Sequence, residues 1–469
     1  MDPMTPFFQD RYEEARALHR SGDLARAEAL YREVLAAEPA HFRALNNLGA
    51  IYEALGRAGD AEDAYRRAAE AAPESAIVQF NLGRLLHLAN RADEAEALYR
   101  RAVALDPGLA GAYFNLGRLL QERDRTPESE APLRRTVELN PEGAAAQNLL
   151  GDALFAQQRM PEALAAYRRA AELAPDDGAA QFDVAKTLEC LARVNEAIEC
   201  YRRCVELDPD SVAGREGLAR ALHTAGRTDE ALAGLREWAG RDAGREIAGH
   251  LIAALGGAEA PARAADEYVR ETFDRFAADF DRTLERLGYR APQRCAQALE
   301  AVVGAPASAL AVLDAGCGTG LCGPLLAPWA ARLEGVDLSA GMLARAHARG
   351  VYHALHEAEL TAFLAASTGT WDAIVSADTF CYLGALEAPL AAAHAALRAR
   401  GALVFTVEHD EDAGTYALLP HGRYAHAERY VRDSLDAAGF ANVVIARDAL
   451  RREGAYDVRG LVVTAVRPA

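Results

Sequence analysis

The string Leu313-Asp314-Ala315-Gly316-Cys317-Gly318-Thr319-Gly320 places three glycines at alternate positions after an apolar run. Glycine lets a backbone turn tightly and approach a ligand, and the N-terminus of a following helix favours negative charge. Leu321 stands where a dinucleotide fingerprint needs its third glycine, so the spacing is Gly-x-Gly-x-Gly. Asp337 ends the next apolar run, in VDLSAGML, and its carboxylate is suited to hold ribose hydroxyls. Later in the chain His409, Tyr424 and His426, the last two in GRYAHAE, are candidates to take a proton from an acceptor. Tyr382 is a candidate to line an acceptor site. The seven cysteines form no Cys-x-x-Cys pair, and no His or acidic cluster completes a metal site. They read as reduced thiols filling small core spaces, in a cytoplasmic protein with no metal.

Alternating strands and helices must position these groups, the mark of a doubly wound sheet. The pattern predicts strands at 310–314, 332–337, 353–357, 372–377 and 402–408, with a terminal pair near 442–447 and 460–466. Helices are expected at 321–331, 339–349, 359–366, 386–398 and 425–438. Asp378, in SADTFCYLG, follows the fourth strand at the edge where ligands meet in such sheets. Before the sheet, Tyr268, Phe273, Phe276 and Phe280 recur at helical spacing. That stripe reads either as packing against the next domain or as a lid over a ligand.

The first half is a repeat array. Pro39, Pro73, Pro107, Pro141, Pro175 and Pro209 lie 34 residues apart. Leu48-Gly49, Leu82-Gly83, Leu116-Gly117 and Leu150-Gly151 recur in the same register. So do Ala61, Tyr65 and Ala68, with Ala95, Tyr99, Ala102 and Ala163, Tyr167, Ala170. Each unit reads as two amphipathic helices, with small residues where they cross and proline where the second stops. Pro132 falls inside a second helix, where a kink is expected. Asn47, Asn81 and Asn115 precede successive Leu-Gly pairs, and amides on one line can bond a peptide backbone without reading its side chains.

These repeats resemble the tetratricopeptide repeat, with six full units over about 8–211 and a seventh over about 212–244. In its asparagines the array resembles that of the O-linked N-acetylglucosamine transferases. LDAGCGTG and VDLSAGML resemble the first two motifs of the class I S-adenosylmethionine-dependent methyltransferases. The resemblance implies a C-terminal α/β Rossmann-like domain with a mostly parallel seven-stranded sheet, beside an N-terminal all-α superhelix. It implies S-adenosylmethionine as cofactor, with Gly316, Cys317, Gly318 and Gly320 along its methionine moiety and Asp314 near the amino group. Asp337 and Leu338 would meet the ribose, Met342 the adenine, Glu359 and Leu360 the adenine edge, and Asp378 the junction with the acceptor. The second half further resembles bacterial methyltransferases fused to tetratricopeptide repeats, through Phe273-Asp274-Arg275-Phe276, Phe280-Asp281 and residues 422–428. In such relatives the early helix covers the cofactor, which brings Tyr268, Phe273 and Phe276 to the cofactor site. The expected organisation is a repeat array at 8–244, a helical linker and lid at 245–308, and a methyltransferase domain at 309–469.

Composition narrows the partners. The 469 residues carry 51 Lys+Arg against 69 Asp+Glu, a formal net charge of −18. That is not the basic footprint of a nucleic-acid binder. No apolar run approaches the ~18 residues of a membrane span. The chain has no Asn/Asp-Pro-Pro-Tyr/Phe motif for planar nitrogens and no Pro-Cys nucleophile. The expected function is an S-adenosylmethionine-dependent methyltransferase acting on an oxygen or nitrogen of a protein, a peptide or a small molecule, with the array recruiting substrate or partner. The competing expectation is a non-enzymatic repeat scaffold with a residual cofactor fold.

Overall fold

The computed structural model describes residues 6–241, 244–278, 280–453 and 456–469. The chain forms two compact units, Met1–Leu191 and Ala192–Ala469. The first contains α1 (Pro6–Ser21), α2 (Leu24–Ala37), α3 (Phe42–Ala54), α4 (Ala58–Ala71), α5 (Ala76–Leu88) and α6 (Ala92–Leu105). It continues through α7 (Ala110–Glu122), α8 (Thr126–Leu139), α9 (Ala144–Ala156), α10 (Met160–Leu173) and α11 (Gly178–Cys190).

The repeat pattern has a steric cause. Gly49 faces the ring of Tyr65, and a Cβ added there would lie 2.7 Å from it. The same contact recurs between Gly83 and Tyr99 at 3.1 Å and between Gly151 and Tyr167 at 2.5 Å. Each tyrosine is buried and follows its glycine by sixteen residues. The helix that carries glycine is thus the floor on which the next helix sets its aromatic ring. In the fourth repeat Leu133 takes the tyrosine position over Gly117, and Pro132 beside it lies inside a helix that runs on to Leu139.

The three asparagines already use their amides. Asn47 donates to the hydroxyl of Tyr31 at 3.1 Å, Asn81 to Asn46 Oδ1 at 2.9 Å, and Asn115 to the carbonyl of Gly111 at 2.9 Å. Asp183 stands at the equivalent place in the sixth repeat. Burial, with Asp152 nearby, pushes its carboxyl up to about 7.

The second unit opens with α12 (Val194–Leu207), α13 (Val212–Thr224), α14 (Thr228–Ala239) and α15 (Arg245–Ala254). Next come α16 (Asp266–Phe276), α17 (Phe280–Arg286) and α18 (Ala291–Val303). The sheet follows, with β1 (Leu310–Ala315), α19 (Gly323–Leu326), β2 (Ala330–Asp337), α20 (Ala340–Ala348), β3 (Ala354–Glu357), α21 (Leu360–Ala366) and β4 (Trp371–Ser376). It ends with α22 (Glu387–Ala396), β5 (Leu397–His409), β6 (Tyr416–Leu418), β7 (Tyr424–His426), α23 (Glu428–Ala437), β8 (Ala441–Glu453) and β9 (Tyr456–Val466).

The sheet runs β3-β2-β1-β4-β5-β7-β6, with β9 antiparallel between β5 and β8. Pairs among β1 to β5 are parallel, as is β5 with β7. Leu313, Ile374, Leu403 and Phe405 pack on one face, and Val312, Ala373, Val375 and Val404 on the other. Burial on both faces is why these strands read as continuous apolar runs.

Local details differ from the sequence pattern. The helix expected over 321–331 is a single short turn, because Pro328 stops it and β2 begins by Ala330. The helix expected from 425 begins at Glu428, because Tyr424–His426 pairs with β5 and β6 as a strand. With β6 and β7 the sheet has nine strands rather than seven. Among the described residues no helix is long and apolar enough to cross a membrane. Cys190 is exposed and Cys200 half-buried, while the other five cysteines are buried.

Two outcomes follow for the repeats. Gly151→Ala gains about 1 kcal/mol of helix propensity but forces a methyl group into the Tyr167 ring, so a net loss of about 1–2 kcal/mol is expected in thermal or urea melts. Asp183 binds its proton more tightly folded than unfolded, so ionising it opposes folding as pH rises from about 4 to about 7. Asp183→Asn should therefore flatten that slope and raise Tm at pH 8, and an unchanged pH profile would contradict the assignment.

Candidate functional site

The site lies at the C-terminal edge of the sheet, where the chain leaves β1 toward β2 and β4 toward β5 in opposite directions. Crevices form at such switch points. Here the two loops touch: Thr379 donates its hydroxyl to the carbonyl of Gly316 at 3.2 Å. Gly316 has φ 74°, and a Cβ there would run into the Thr379 side chain. Only glycine meets both demands.

A cleft opens above this contact. Its walls include Gly316, Gly318, Asp337, Leu338, Glu359, Leu360 and Asp378. Asp337 accepts from the backbone N–H of Gly318 and of Ser339, each at 2.9 Å. Two carboxylate oxygens offer about four acceptor positions, so the group is held rigidly with capacity left for hydroxyls. Burial raises its pKa, against the pull of those N–H groups. Val336, Leu338, Ala358 and Leu360 give the same cleft an apolar wall. A carboxylate beside a flat apolar slot and exposed glycine backbone fits a nucleoside-bearing cofactor.

Other residues singled out from sequence sit outside the cleft walls. Asp314 is buried and accepts from the Tyr352 hydroxyl at 2.6 Å, and burial pushes its carboxyl up to about 7. Cys317 packs its sulfur over Gly335, and Gly320 backs onto Tyr352. Met342 is fully buried. Glu359 lines the cleft, but both its oxygens cap α21, accepting from Thr361 and Ala362 at 2.9 and 2.8 Å.

Two short helices cover the cleft. Asp274 of α16 accepts from the Ser339 hydroxyl and from Gly341 N–H at 3.0 Å. Asp281 of α17 accepts from the Thr319 hydroxyl and from Arg349. Two carboxylates thus fasten the aromatic helices to the glycine loop and to the start of α20. Phe273 and Phe280 reach the cleft. Phe276 and Tyr268 face a neighbouring cavity instead. Tyr268 stacks on His250 at 4.0 Å, and His250 Nε2 donates to the Gly422 carbonyl at 2.8 Å.

The three groups considered as proton acceptors line neither cavity. His426 is fully buried, with Nε2 donating to the carbonyls of Leu383 and Gly384 at 2.9 and 3.1 Å. Burial pushes its pKa down to about 4, so the ring is neutral and that nitrogen carries the proton. Tyr424 donates to the Pro261 carbonyl at 2.8 Å. His409 lies beside the His426 carbonyl at 3.2 Å. Together His426 and Tyr424 brace segments 261–264 and 382–385, which bond to each other through Ala264 N–H to the Tyr382 carbonyl at 2.9 Å. Those segments deliver Arg263, Tyr382 and Leu383 to the cleft.

Sequence reasoning missed Arg263, Tyr289 and Thr379 in the cleft, and the charged group beside it. Asp378 adopts φ 54° and accepts from the Thr406 hydroxyl at 3.0 Å and from Arg451 at 2.7 Å. Burial raises its pKa despite Arg451. Arg451 also donates to buried Glu408, as does Arg423 at 2.6 Å. Burial opposes ionisation of Glu408, but Arg423, Arg451 and His421 outweigh it and hold its carboxyl below the usual range. No signal links positions 378, 408, 423 and 451 in the sequence, because the sheet alone brings them together.

Known proteins share both halves. Family models described as tetratricopeptide repeat match residues 40–108, 114–178 and 190–246, and one described as methyltransferase domain matches 312–401. The human methyltransferase-like protein 27 is 43% identical over 106 residues, 22% of this chain. The match spans 43% of that relative, less than half its length. Among solved structures, YrrB, described as a tetratricopeptide-repeat protein with an unusual peptide-binding site, is 18% identical, with TM-score 0.38 over 42% of this chain and 97% of its own. PilF of Pseudomonas aeruginosa is also 18% identical, with TM-score 0.40 over 45% of this chain and 95% of its own. The repeat matches, and the methyltransferase match over the β1 loop, Asp337 and Asp378, show that this chain carries tetratricopeptide repeats followed by a methyltransferase domain.

Proposed function

We propose that the protein is an S-adenosylmethionine-dependent methyltransferase acting on an oxygen or nitrogen acceptor, and that its repeats recruit a protein or peptide. The observation that carries the first part is the Asp337 carboxylate, fixed by two backbone N–H groups inside the switch-point cleft. When bound, S-adenosylmethionine supplies an electrophilic methyl group. Asp337 would hold the ribose hydroxyls, Leu338 and Leu360 would flank the base, and the Gly316–Gly318 backbone would pass the amino-acid end. Transfer is an in-line displacement, so orientation and exclusion of water are the protein's contributions.

The lid serves both. With α16 and α17 fastened, the cleft measures about 110 Å³. A drug-sized ligand needs ~300 Å³ or more. Entry therefore requires the Asp274 and Asp281 fastenings to part, and their re-formation closes Phe273 and Phe280 over the cofactor. Asp378, Tyr289 and Tyr382 line both the cleft and its neighbour, and mark the neck at which methyl group and acceptor meet. We assign the repeats at 8–244 to recruitment, 245–308 to the lid and 309–469 to transfer.

Asp337→Ala should weaken S-adenosylmethionine binding by about 1.5–3 kcal/mol, the worth of hydrogen bonds to a charged group. Unchanged affinity in calorimetry would remove the ribose assignment. For the repeats, replacing Asn47, Asn81 and Asn115 together with Ala should abolish methylation of a polypeptide substrate, or capture of a polypeptide partner from a lysate, while cofactor affinity stays constant. Because each amide also bonds within the array, some loss of Tm is expected as well. A variant that melts earlier yet, while folded, captures the same partners would show that the amides only join helices.

A further inference from the structure

Beside the cofactor cleft lies a second cavity of about 440 Å³, within the range of small-molecule sites. Of the twenty-two described residues in its wall, six are aromatic: Tyr268, Phe273, Phe276, Phe280, Tyr289 and Tyr382. Aromatic residues make up only 7% of the chain, so the wall concentrates them about fourfold. Four of the rings meet edge to face in series. Tyr382 meets Phe273 at 5.3 Å and 78°, Phe273 meets Phe280 at 6.0 Å and 70°, and Phe280 meets Phe276 at 5.5 Å and 80°. In this arrangement the positive edge of one ring points at the negative face of the next, and a guest ring can extend the series.

The charged groups of the wall hold one another. Arg275 bonds Glu216 at 3.1 Å, Arg451 bonds Asp378 at 2.7 Å, and Arg423 bonds Glu408 behind the wall at 2.6 Å. Two hydroxyls are in a different position. Tyr289 and Tyr382 line both the cavity and the cleft, and among the described residues neither hydroxyl has a hydrogen-bond partner. A tyrosine in a protein interior normally finds one, as Tyr352, Tyr424 and Tyr430 do in the same sheet domain. Burial pushes both hydroxyls above their ordinary range, so they keep their protons and can both donate and accept.

We propose that this cavity is the acceptor site, and that the acceptor is a phenol whose flat ring lies among the aromatic side chains of α16 and α17 while its hydroxyl sits at the neck between Tyr289 and Tyr382. The word acceptor rests on the methyl-transfer reading above, but the preference for an aromatic hydroxyl stands on the cavity itself. In that reading the O–C bond forms as the sulfonium C–S bond breaks, S-adenosylhomocysteine leaves as a neutral thioether, and the phenol proton passes to water. The two tyrosines position the oxygen and are unchanged by the transfer.

The test uses the full chain saturated with S-adenosylhomocysteine and three probes of similar outline: 2-naphthol, its saturated counterpart decahydro-2-naphthol, and naphthalene. Burial of apolar surface alone would rank naphthalene first, because it has no polar group to desolvate. Titration followed by naphthol fluorescence, with the other two as competitors, should instead place 2-naphthol about tenfold or more above decahydro-2-naphthol and about threefold or more above naphthalene. The Tyr289→Phe, Tyr382→Phe double variant keeps both rings, so 2-naphthol should fall to the level of naphthalene while naphthalene itself is unchanged. Phe276 lies outside the cofactor cleft, so Phe276→Leu should weaken both aromatic probes about threefold or more with S-adenosylhomocysteine affinity unchanged. Because the two variants alter different parts of the wall, either one, if folded, decides the matter. Parity of 2-naphthol with its saturated counterpart or with naphthalene, no binding of 2-naphthol, or full 2-naphthol affinity in a folded variant overturns the proposal. If S-adenosylhomocysteine fails to bind while the same ranking of probes persists without it, the methyl-transfer reading fails and the aromatic site stands.

Discussion

The contact between Gly316 and Thr379 constrains everything above the sheet. β1 and β4 are neighbours whose chains depart in opposite directions, so the loops at their ends must either splay apart or press together. Here they press together, through the Thr379 hydroxyl and the Gly316 carbonyl. A side chain at 316 would separate them, widen the floor of the cleft and draw Asp378 away from the neck it shares with the second cavity. The alternating glycines are thus a packing requirement before they are a ligand-binding device. Cys317 shows the same economy: its sulfur fills the space over Gly335 and holds β2, which carries Asp337, close to the loop.

Four carboxyl groups are buried or half-buried along this edge, and each is satisfied differently. Asp314 takes a tyrosine hydroxyl, Asp337 two backbone N–H groups, Asp378 a threonine and an arginine, and Glu408 two arginines. Burying a charge costs several kcal/mol, and a buried pair repays that cost only with good geometry and further hydrogen bonds. Among these groups Glu408 is the one whose carboxyl is held below its ordinary range. The others are raised by burial. Such an arrangement is poor value for stability. Its effect is to fix the positions of Arg451 and Arg423, which join β5, β8 and the loop before β7 around one buried acid.

What could be read from the sequence depended on whether a residue's role was local. The repeats were legible because a glycine and the tyrosine that covers it are sixteen residues apart in the second, third and fifth units. The glycine loop and Asp337 were legible because a turn and the strand after it dictate their types. Pro328, a helix stop, marks where the helix expected over 321–331 ends early. His426 and Tyr424 were misleading for a different reason. A histidine and a tyrosine in a short segment carry no mark of the strand they occupy, and it is the pairing of β7 with β5 that turns them inward to brace two loops. Met342 and Asp314 likewise belong to motifs that point at a cofactor, while their own side chains are spent in the interior. The arginine network had no sequence signal, because its members come from β5, the loop before β7 and β8.

Helices α16 and α17 link the last repeat to the glycine loop through a short series of carboxylates. Glu216 of α13 holds Arg275 of α16; one residue earlier on α16, Asp274 holds Ser339 and Gly341 at the start of α20. Asp281 of α17 then holds Thr319 in the loop itself. Each link consists of only one or two hydrogen bonds, each worth ~1 kcal/mol net. Their order matters more than their strength, since α16 cannot leave the cleft without breaking its bond to α13 or moving α13 with it. Within the second unit, the last repeat and the sheet are therefore not independent pieces joined by a linker. The end of the one helps to set the position of the cover on the other, and any chain cut at residue 244 would lose Glu216, Ala219 and Arg220 from the cavity wall together with the anchor of Arg275.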